Sequence, residues 1–96
     1  NIGASNEMPN IKIVRLILHY LGKSEELIQY VKDRPGHDKR YAIDYTKIKN
    51  ELGWKPAFSF EQAIIDTIDW FINNKSWWQR IITGEYQKYY AEQYRI

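Results

Sequence analysis

Ninety-six residues carrying 14 Lys plus Arg against 12 Asp plus Glu have a net charge of only +2, too little to hold a nucleic acid or an anionic membrane by electrostatics. No apolar run approaches the ~20 residues of a membrane span and no signal peptide is expected, so the reading is a soluble, cytoplasmic protein; the absence of Cys excludes disulfides and thiolate metal sites. Aromatic residues make up 16%, including four Trp and eight Tyr, which argues against disorder and requires large flat surfaces that are buried or used for stacking.

The chain opens on Asn1 rather than Met, as expected of a fragment or a processed product. Asn1, Ile2 and Gly3 read as the tail of a strand, and Ala4 to Pro9 as a loop of small and polar residues. From Asn10 the apolar residues Ile11, Val14, Leu18 and Leu21 recur at helical spacing with Gly22 as a stop, which predicts a helix over 10–21. His19 and Tyr20 fall near its end, where a cation favours the negative pole of the helix dipole, a simpler role for His19 than a ligand. Leu27 to Val31 has the make-up of a short strand.

The most chemically expressive stretch is Asp33 to Asp44, Asp-Arg-Pro-Gly-His-Asp-Lys-Arg-Tyr-Ala-Ile-Asp. Pro35 and Gly36 fit the centre of a type II turn, because Pro fixes the φ needed first and Gly accepts the positive φ needed second. The turn would set Arg34 and His37 side by side. Guanidinium, imidazole and backbone N–H groups all donate to an anionic oxygen, and Gly36 lets a ligand approach the main chain. That is the outline of a phosphate or diphosphate grip. The plain alternatives are a surface ion pair of Arg34 with Asp33 or Asp38, and turn geometry alone for Gly36. No metal role is expected for His37, since no second His or Cys stands at ligand spacing.

Tyr41 to Ile43 reads as a second short strand, and Asp44 as the cap of a helix over 45–52. Gly53 would end that helix, Trp54 fold back onto Ile48, and Pro56 prevent continuation. Ser59 and Gln62 match a capping box, with Phe58 placed to staple onto Ala63. The helix they start should run to about Asn74 as the principal core element, burying Ile64, Ile65, Ile68, Phe71 and Ile72 and turning Asp66 and Asp69 outward. A short helix over 76–82 with Trp77, Trp78, Ile81 and Ile82, then a polar Tyr-rich helix over 85–94 beyond Gly84, complete a single domain of 1–96 without repeat or linker. The Trp pair and Tyr86, Tyr89, Tyr90 and Tyr94 are suited to stacking on bases, but such stripes at helical spacing more often form core or domain-contact surface.

Together, Asn1-Ile2-Gly3 with Asn6-Glu7, the Asp33 to Asp44 stretch, Glu51-Leu52-Gly53-Trp54-Lys55-Pro56 and the Trp-rich tail resemble the C-terminal part of the dTDP-glucose 4,6-dehydratases, within the extended short-chain dehydrogenase/reductase family. Related nucleotide-sugar epimerases and decarboxylases share the Leu-Gly-Trp ending and an Arg-x-Gly turn; His37 and Tyr-Ala-Ile-Asp look like the dehydratase version. The resemblance implies an NAD-dependent hydro-lyase that oxidises C4 of a dTDP-hexose, eliminates water across C5 and C6, and returns the hydride to C6. It also implies an N-terminal Rossmann domain that holds NAD and the catalytic Tyr-x-x-x-Lys pair; this sequence contains no G-x-G-x-x-G.

On that resemblance the chain is an α/β, helix-rich substrate domain with short strands, inactive alone and binding no NAD itself. Its implied partners are the dTDP-sugar and the missing Rossmann domain, and the whole enzyme is expected to be a homodimer through missing segments. Carried over by motif, the substrate-binding residues are Asn10, Asp33, Arg34, Pro35, Gly36 and His37, with helix capping as the alternative for Asn10. Tyr45 and Lys49 match Tyr-x-x-x-Lys formally, but they fall on a short capped helix after the substrate stretch and are read as structural. Two other readings stay open: a fragment of a nucleotide-sugar 4-epimerase or decarboxylase, and a stand-alone module that grips nucleotide diphosphates or another protein.

Overall fold

The computed structural model describes residues 1–94, the side chain of Glu85 excepted. Its elements in chain order are α1 (Asn10–Tyr20), a 3-10 turn (Glu25–Leu27), α2 (Thr46–Leu52), α3 (Phe60–Asn73), α4 (Lys75–Ile82) and α5 (Glu85–Tyr94). The helices pack in series, α1 on α3, α3 on α4 and α4 on α5.

Pro9 stands at the start of α1 and its carbonyl accepts from the Lys12 and Ile13 N–H groups. Asn10 is therefore the first helical residue and not the cap, which corrects the capping alternative. The helix closes in a Schellman arrangement, with Gly22 N–H on the His19 carbonyl (3.1 Å) and Lys23 N–H on that of Leu18 (2.8 Å).

The strands expected over 1–3, 27–31 and 41–43 are not formed among the described residues. Glu25–Leu27 is a 3-10 turn at whose start Ser24 Oγ accepts from the Glu26 N–H at 3.1 Å. Beyond it the chain is extended from Ile28 (φ −76°, ψ 121°). Extended backbone becomes a strand only when a neighbour takes its N–H and C=O groups, and no such neighbour lies among the described residues. Gly3 does lie against Ile43, so close that a Cβ on it would stand 2.9 Å from the Ile43 carbonyl oxygen. These two segments pack without forming a ladder.

The second helix begins one residue later than expected, at Thr46 with Tyr45 as the flanking residue. Asp44 still serves its end, because Asp44 Oδ1 accepts from the Thr46 N–H (2.9 Å) and from its hydroxyl (2.5 Å). The hydroxyl bond first, then the backbone bond, holds the Asp44 carboxyl below its ordinary range. Trp54 meets Tyr45 edge-on at 5.8 Å, a partner not anticipated for it.

At the start of α3, Ser59 Oγ accepts from Gln62 N–H at 3.2 Å, one half of the expected capping box. The other half is absent because Gln62 Nε2 donates to Asp66 Oδ1 (2.8 Å) one turn further on. Phe58 is 67% exposed, so the anticipated staple buries little. Ile68 is the buried core residue at 7% exposure, and Ile64 and Ile65 are half-buried. Phe71 and Ile72, expected in the core, are exposed. With α1 packed on α3 and α4 continuing from its end, the apolar stripe of α3 is wider than its two neighbours can cover. Asp69 is turned toward α1 instead of outward, accepting from the Tyr20 hydroxyl at 2.7 Å. That bond, with the carboxylate charge behind it, pushes the Tyr20 phenol above its ordinary range.

Asn74 closes α3 and opens α4 with no residue between them. Its Nδ2 donates to the Trp70 carbonyl (2.8 Å) and its own carbonyl accepts from Trp77 N–H (3.0 Å). Trp78 Nε1 donates to the Phe71 carbonyl at 2.8 Å, so an indole satisfies one of the orphan acceptors at the end of α3. Trp70 and Trp77 meet edge-on at 5.2 Å. Trp70, Phe71, Ile72, Trp77 and Ile81 nevertheless remain exposed. The Cα radius of gyration of 16.9 Å, against about 13 Å for a compact chain of this size, reflects that openness.

Candidate functional site

Pro35 and Gly36 form the expected turn, with Gly36 at φ +70° and open space where a side chain would stand. The turn is braced from within. Asp33 Oδ1 accepts from the Arg34 N–H (2.9 Å) and pairs with His37 Nδ1 (2.6 Å). The His37 bond above all, followed by the Arg34 backbone bond, holds the Asp33 carboxyl below its ordinary range. Since an ionised carboxylate only accepts, Nδ1 carries the proton in this bond and Nε2 is the nitrogen left for a ligand. Nε2 accepts in the neutral ring and donates only in the imidazolium.

The Arg34 guanidinium has no ion pair among the described residues. Its two anticipated acidic neighbours are engaged elsewhere, Asp33 with His37 and Asp38 with Tyr41, whose hydroxyl donates to Asp38 Oδ2 at 2.7 Å. That bond raises the Tyr41 phenol above its ordinary range. The exposed cation stands beside the turn.

Arg40 reaches back to the Ala4–Pro9 loop. Its Nε donates to Glu7 Oε2 (2.5 Å) and its Nη2 to Glu7 Oε1 (2.8 Å), a two-pronged bridge that lowers the Glu7 carboxyl and raises the Arg40 guanidinium. Sequence reasoning missed this pair, because two exposed charges 33 positions apart carry no local signal.

Between the two segments runs an open groove of about 760 Å³, lined among others by Glu7, Pro9, Asn10, Asp33, His37 and Arg40. It brings together three of the six sequence-predicted residues, Asn10, Asp33 and His37; Arg34, Pro35 and Gly36 stand at the turn beside it and do not line it. A second hollow of about 450 Å³, between Gly3–Glu7 and Tyr41–Asp44, shares Asn6, Glu7 and Tyr41 with the first. Tyr45 and Lys49 line neither; Tyr45 packs on Trp54, and its carbonyl accepts from Lys49 N–H at 3.1 Å within the helix start. Among the described residues no group of three metal-ligating side chains occurs, and no helix is long and apolar enough to cross a membrane. The chemistry the groove offers is polar: amide and guanidinium donors and the imidazole Nε2, an acceptor in the neutral ring, beside a turn open to the main chain.

Residues 1–67 match the profile of the family described as GDP-mannose 4,6 dehydratase. Curated relatives include the dTDP-glucose 4,6-dehydratases of Escherichia coli, 50% identical over 90% of this chain and 27% of that protein, and of Xanthomonas campestris pv. campestris, 47% identical over 91% and 27%. Another, from Shigella flexneri, is 44% identical over 98% of this chain and 28% of its own. The chain thus spans little more than a quarter of the length of these relatives. A solved structure of dTDP-glucose 4,6-dehydratase from Bacillus anthracis str. Ames, in complex with NAD, is 45% identical with a TM-score of 0.77, covering 83% of this chain and 25% of that one.

Proposed function

The chain belongs to the GDP-mannose 4,6-dehydratase family, and from that premise we propose that it is the nucleotide-sugar-binding part of a dTDP-glucose 4,6-dehydratase. The observation that carries the proposal is the groove that gathers Asn10, Asp33 and His37 beside a turn bearing Arg34, which has no ion pair among the described residues. In this reading the diphosphate lies against the Arg34 guanidinium and the open main chain at Gly36. Asn10 and the Nε2 edge of His37 meet the polar groups of the nucleotide sugar from the two walls, while Asp33 and Pro35 fix the turn.

In the whole enzyme, residues 1–96 act as one substrate domain of α/β class, in which the extended segments acquire strand neighbours from the larger part. NAD would accept the hydride from the sugar and return it. By the family resemblance, the cofactor and the catalytic Tyr-x-x-x-Lys pair are assigned to that larger part. The same part would provide the homodimer contacts of a cytoplasmic enzyme. The 96-residue chain alone binds and does not catalyse.

Product analysis tests the proposal. The full-length protein supplied with dTDP-glucose and NAD should release dTDP-4-keto-6-deoxyglucose, and the 96-residue chain should not. Release of the C4 epimer, or turnover by the short chain at a comparable rate, would overturn it.

A further inference from the structure

We propose that Glu7 and Arg40 are a positioning pair, whose two-pronged bridge sets Asn10 at its working distance from His37 across the groove. The inference rests on the nucleotide-sugar reading of that groove and adds two residues to it. Segment 1–8 makes no backbone hydrogen bond to the rest of the chain among the described residues. Ser5 within it holds a left-handed conformation (φ 53°), which side-chain-bearing residues disfavour. Two ties therefore place the segment: the close approach of Gly3 to Ile43, and the Glu7–Arg40 bridge.

The bridge stands three residues before Asn10 on one wall and three residues after His37 on the other. Pro9 stiffens the first of these connections. Two parallel N–H···O bonds fix orientation as well as distance, which a single-point contact from Lys does not. Both partners are exposed, so the bridge adds little to global stability and its loss loosens the groove without unfolding the chain. Glu7 also bears on how Arg40 acts. With Nε and Nη2 committed to Glu7, the charge of Arg40 is locally balanced, and its influence on a ligand passes through the loop it holds.

The experiment is a double-mutant cycle in the full-length enzyme, with dTDP binding read by calorimetry. Glu7→Ala and Arg40→Ala should each raise the Kd about five-fold or more, the scale of one polar interaction. The double variant should lose no more than the worse single, because all three remove the same bridge. KM should rise with kcat held within about two-fold, since uniform binding is lost and not a transition-state contact. If Arg40 instead touched the diphosphate directly, Glu7→Ala would leave binding unchanged or tighten it, and that result overturns the proposal, as do additive losses. Should an alanine variant fail to fold, Arg40→Lys keeps the charge, loses the fork and should still weaken binding; an unchanged Kd there also overturns it. If the parent protein binds no dTDP at all, the functional reading fails. Limited proteolysis within residues 4–8 then decides the bridge, faster cleavage in both alanine variants supporting it and unchanged rates removing it.

Discussion

His37 Nδ1–H donates to Asp33 Oδ1 at 2.6 Å across the Pro35–Gly36 turn, so the imidazole is oriented before any ligand arrives. Two substitutions separate its two edges. In His37→Asn the amide nitrogen takes the place of Nδ1 and keeps the brace while the Nε2 edge is lost; in His37→Gln the amide reaches the Nε2 position while the brace is lost. Both should weaken dTDP binding to the full-length enzyme by about 1–2 kcal/mol, but only the Gln variant should speed amide exchange at Arg34. An Asn variant with unchanged affinity would confine His37 to bracing the turn.

Arg34, without an ionic partner among the described residues, has its charge available to a diphosphate. Arg34→Ala should weaken dTDP binding by on the order of 1.5 to 3 kcal/mol, the scale of a hydrogen bond to a charged group. A calorimetric dissociation constant equal to that of the parent protein would take Arg34 out of the site.

Acid should loosen the turn and the start of α2 before it unfolds the helices. Glu7, Asp33 and Asp44 are held below their ordinary values by Arg40, His37 and Thr46 respectively. Each folded pKa lies below its unfolded one. The stabilisation is therefore complete above about pH 4 to 5 and is lost as pH falls through the folded values. Amide protection at Arg34 and Thr46, whose N–H groups donate to Asp33 and Asp44, should fall over that interval. In Asp44→Asn the side-chain oxygen still accepts but no longer titrates, so Thr46 should lose its acid dependence. Flat protection in the parent protein over the same interval would contradict the assignment.

Among the described residues, Ile68 is the side chain most fully removed from water. Ile68→Ala should destabilise by about 2–4 kcal/mol in denaturant unfolding of the full-length enzyme, through lost transfer energy and a residual cavity. Phe71→Ala gives a useful contrast, because Phe71 is 46% exposed in this chain. A loss as large as that at Ile68 would show that the rest of the enzyme covers this stripe.

What could be read from the sequence was what local chemistry determines. Ser59 before Gln62, the Pro35–Gly36 pair and the stop at Gly53 each act over a few residues, and each appears where it was expected. The contacts that could not be read join distant residues: Tyr20 with Asp69, 49 positions apart, and Glu7 with Arg40, 33 apart. Either side chain of such a pair looks like an ordinary surface group until the fold brings them together. The short strands fail for a related reason. Alternation of Tyr41 and Ile43 describes a chain ready to be extended, and whether it joins a sheet depends on a neighbour that the alternation itself does not encode. Asn10 lay between the two cases, since it sits at a helix start as anticipated while Pro9 takes the flanking place.

The junction at Asn74 makes residue count, and not residue type alone, a structural parameter of the C-terminal third. Adding or deleting one residue there would rotate α4 by about 100° about its axis. The turn would swing Trp77 off the ring of Trp70 and take the Trp78 indole away from the Phe71 carbonyl. One angle thus keeps the aromatic side chains of α4 in contact with the end of α3. Among descendants of this chain, single substitutions at these aromatic positions should be tolerated far more readily than a single-codon insertion at the elbow.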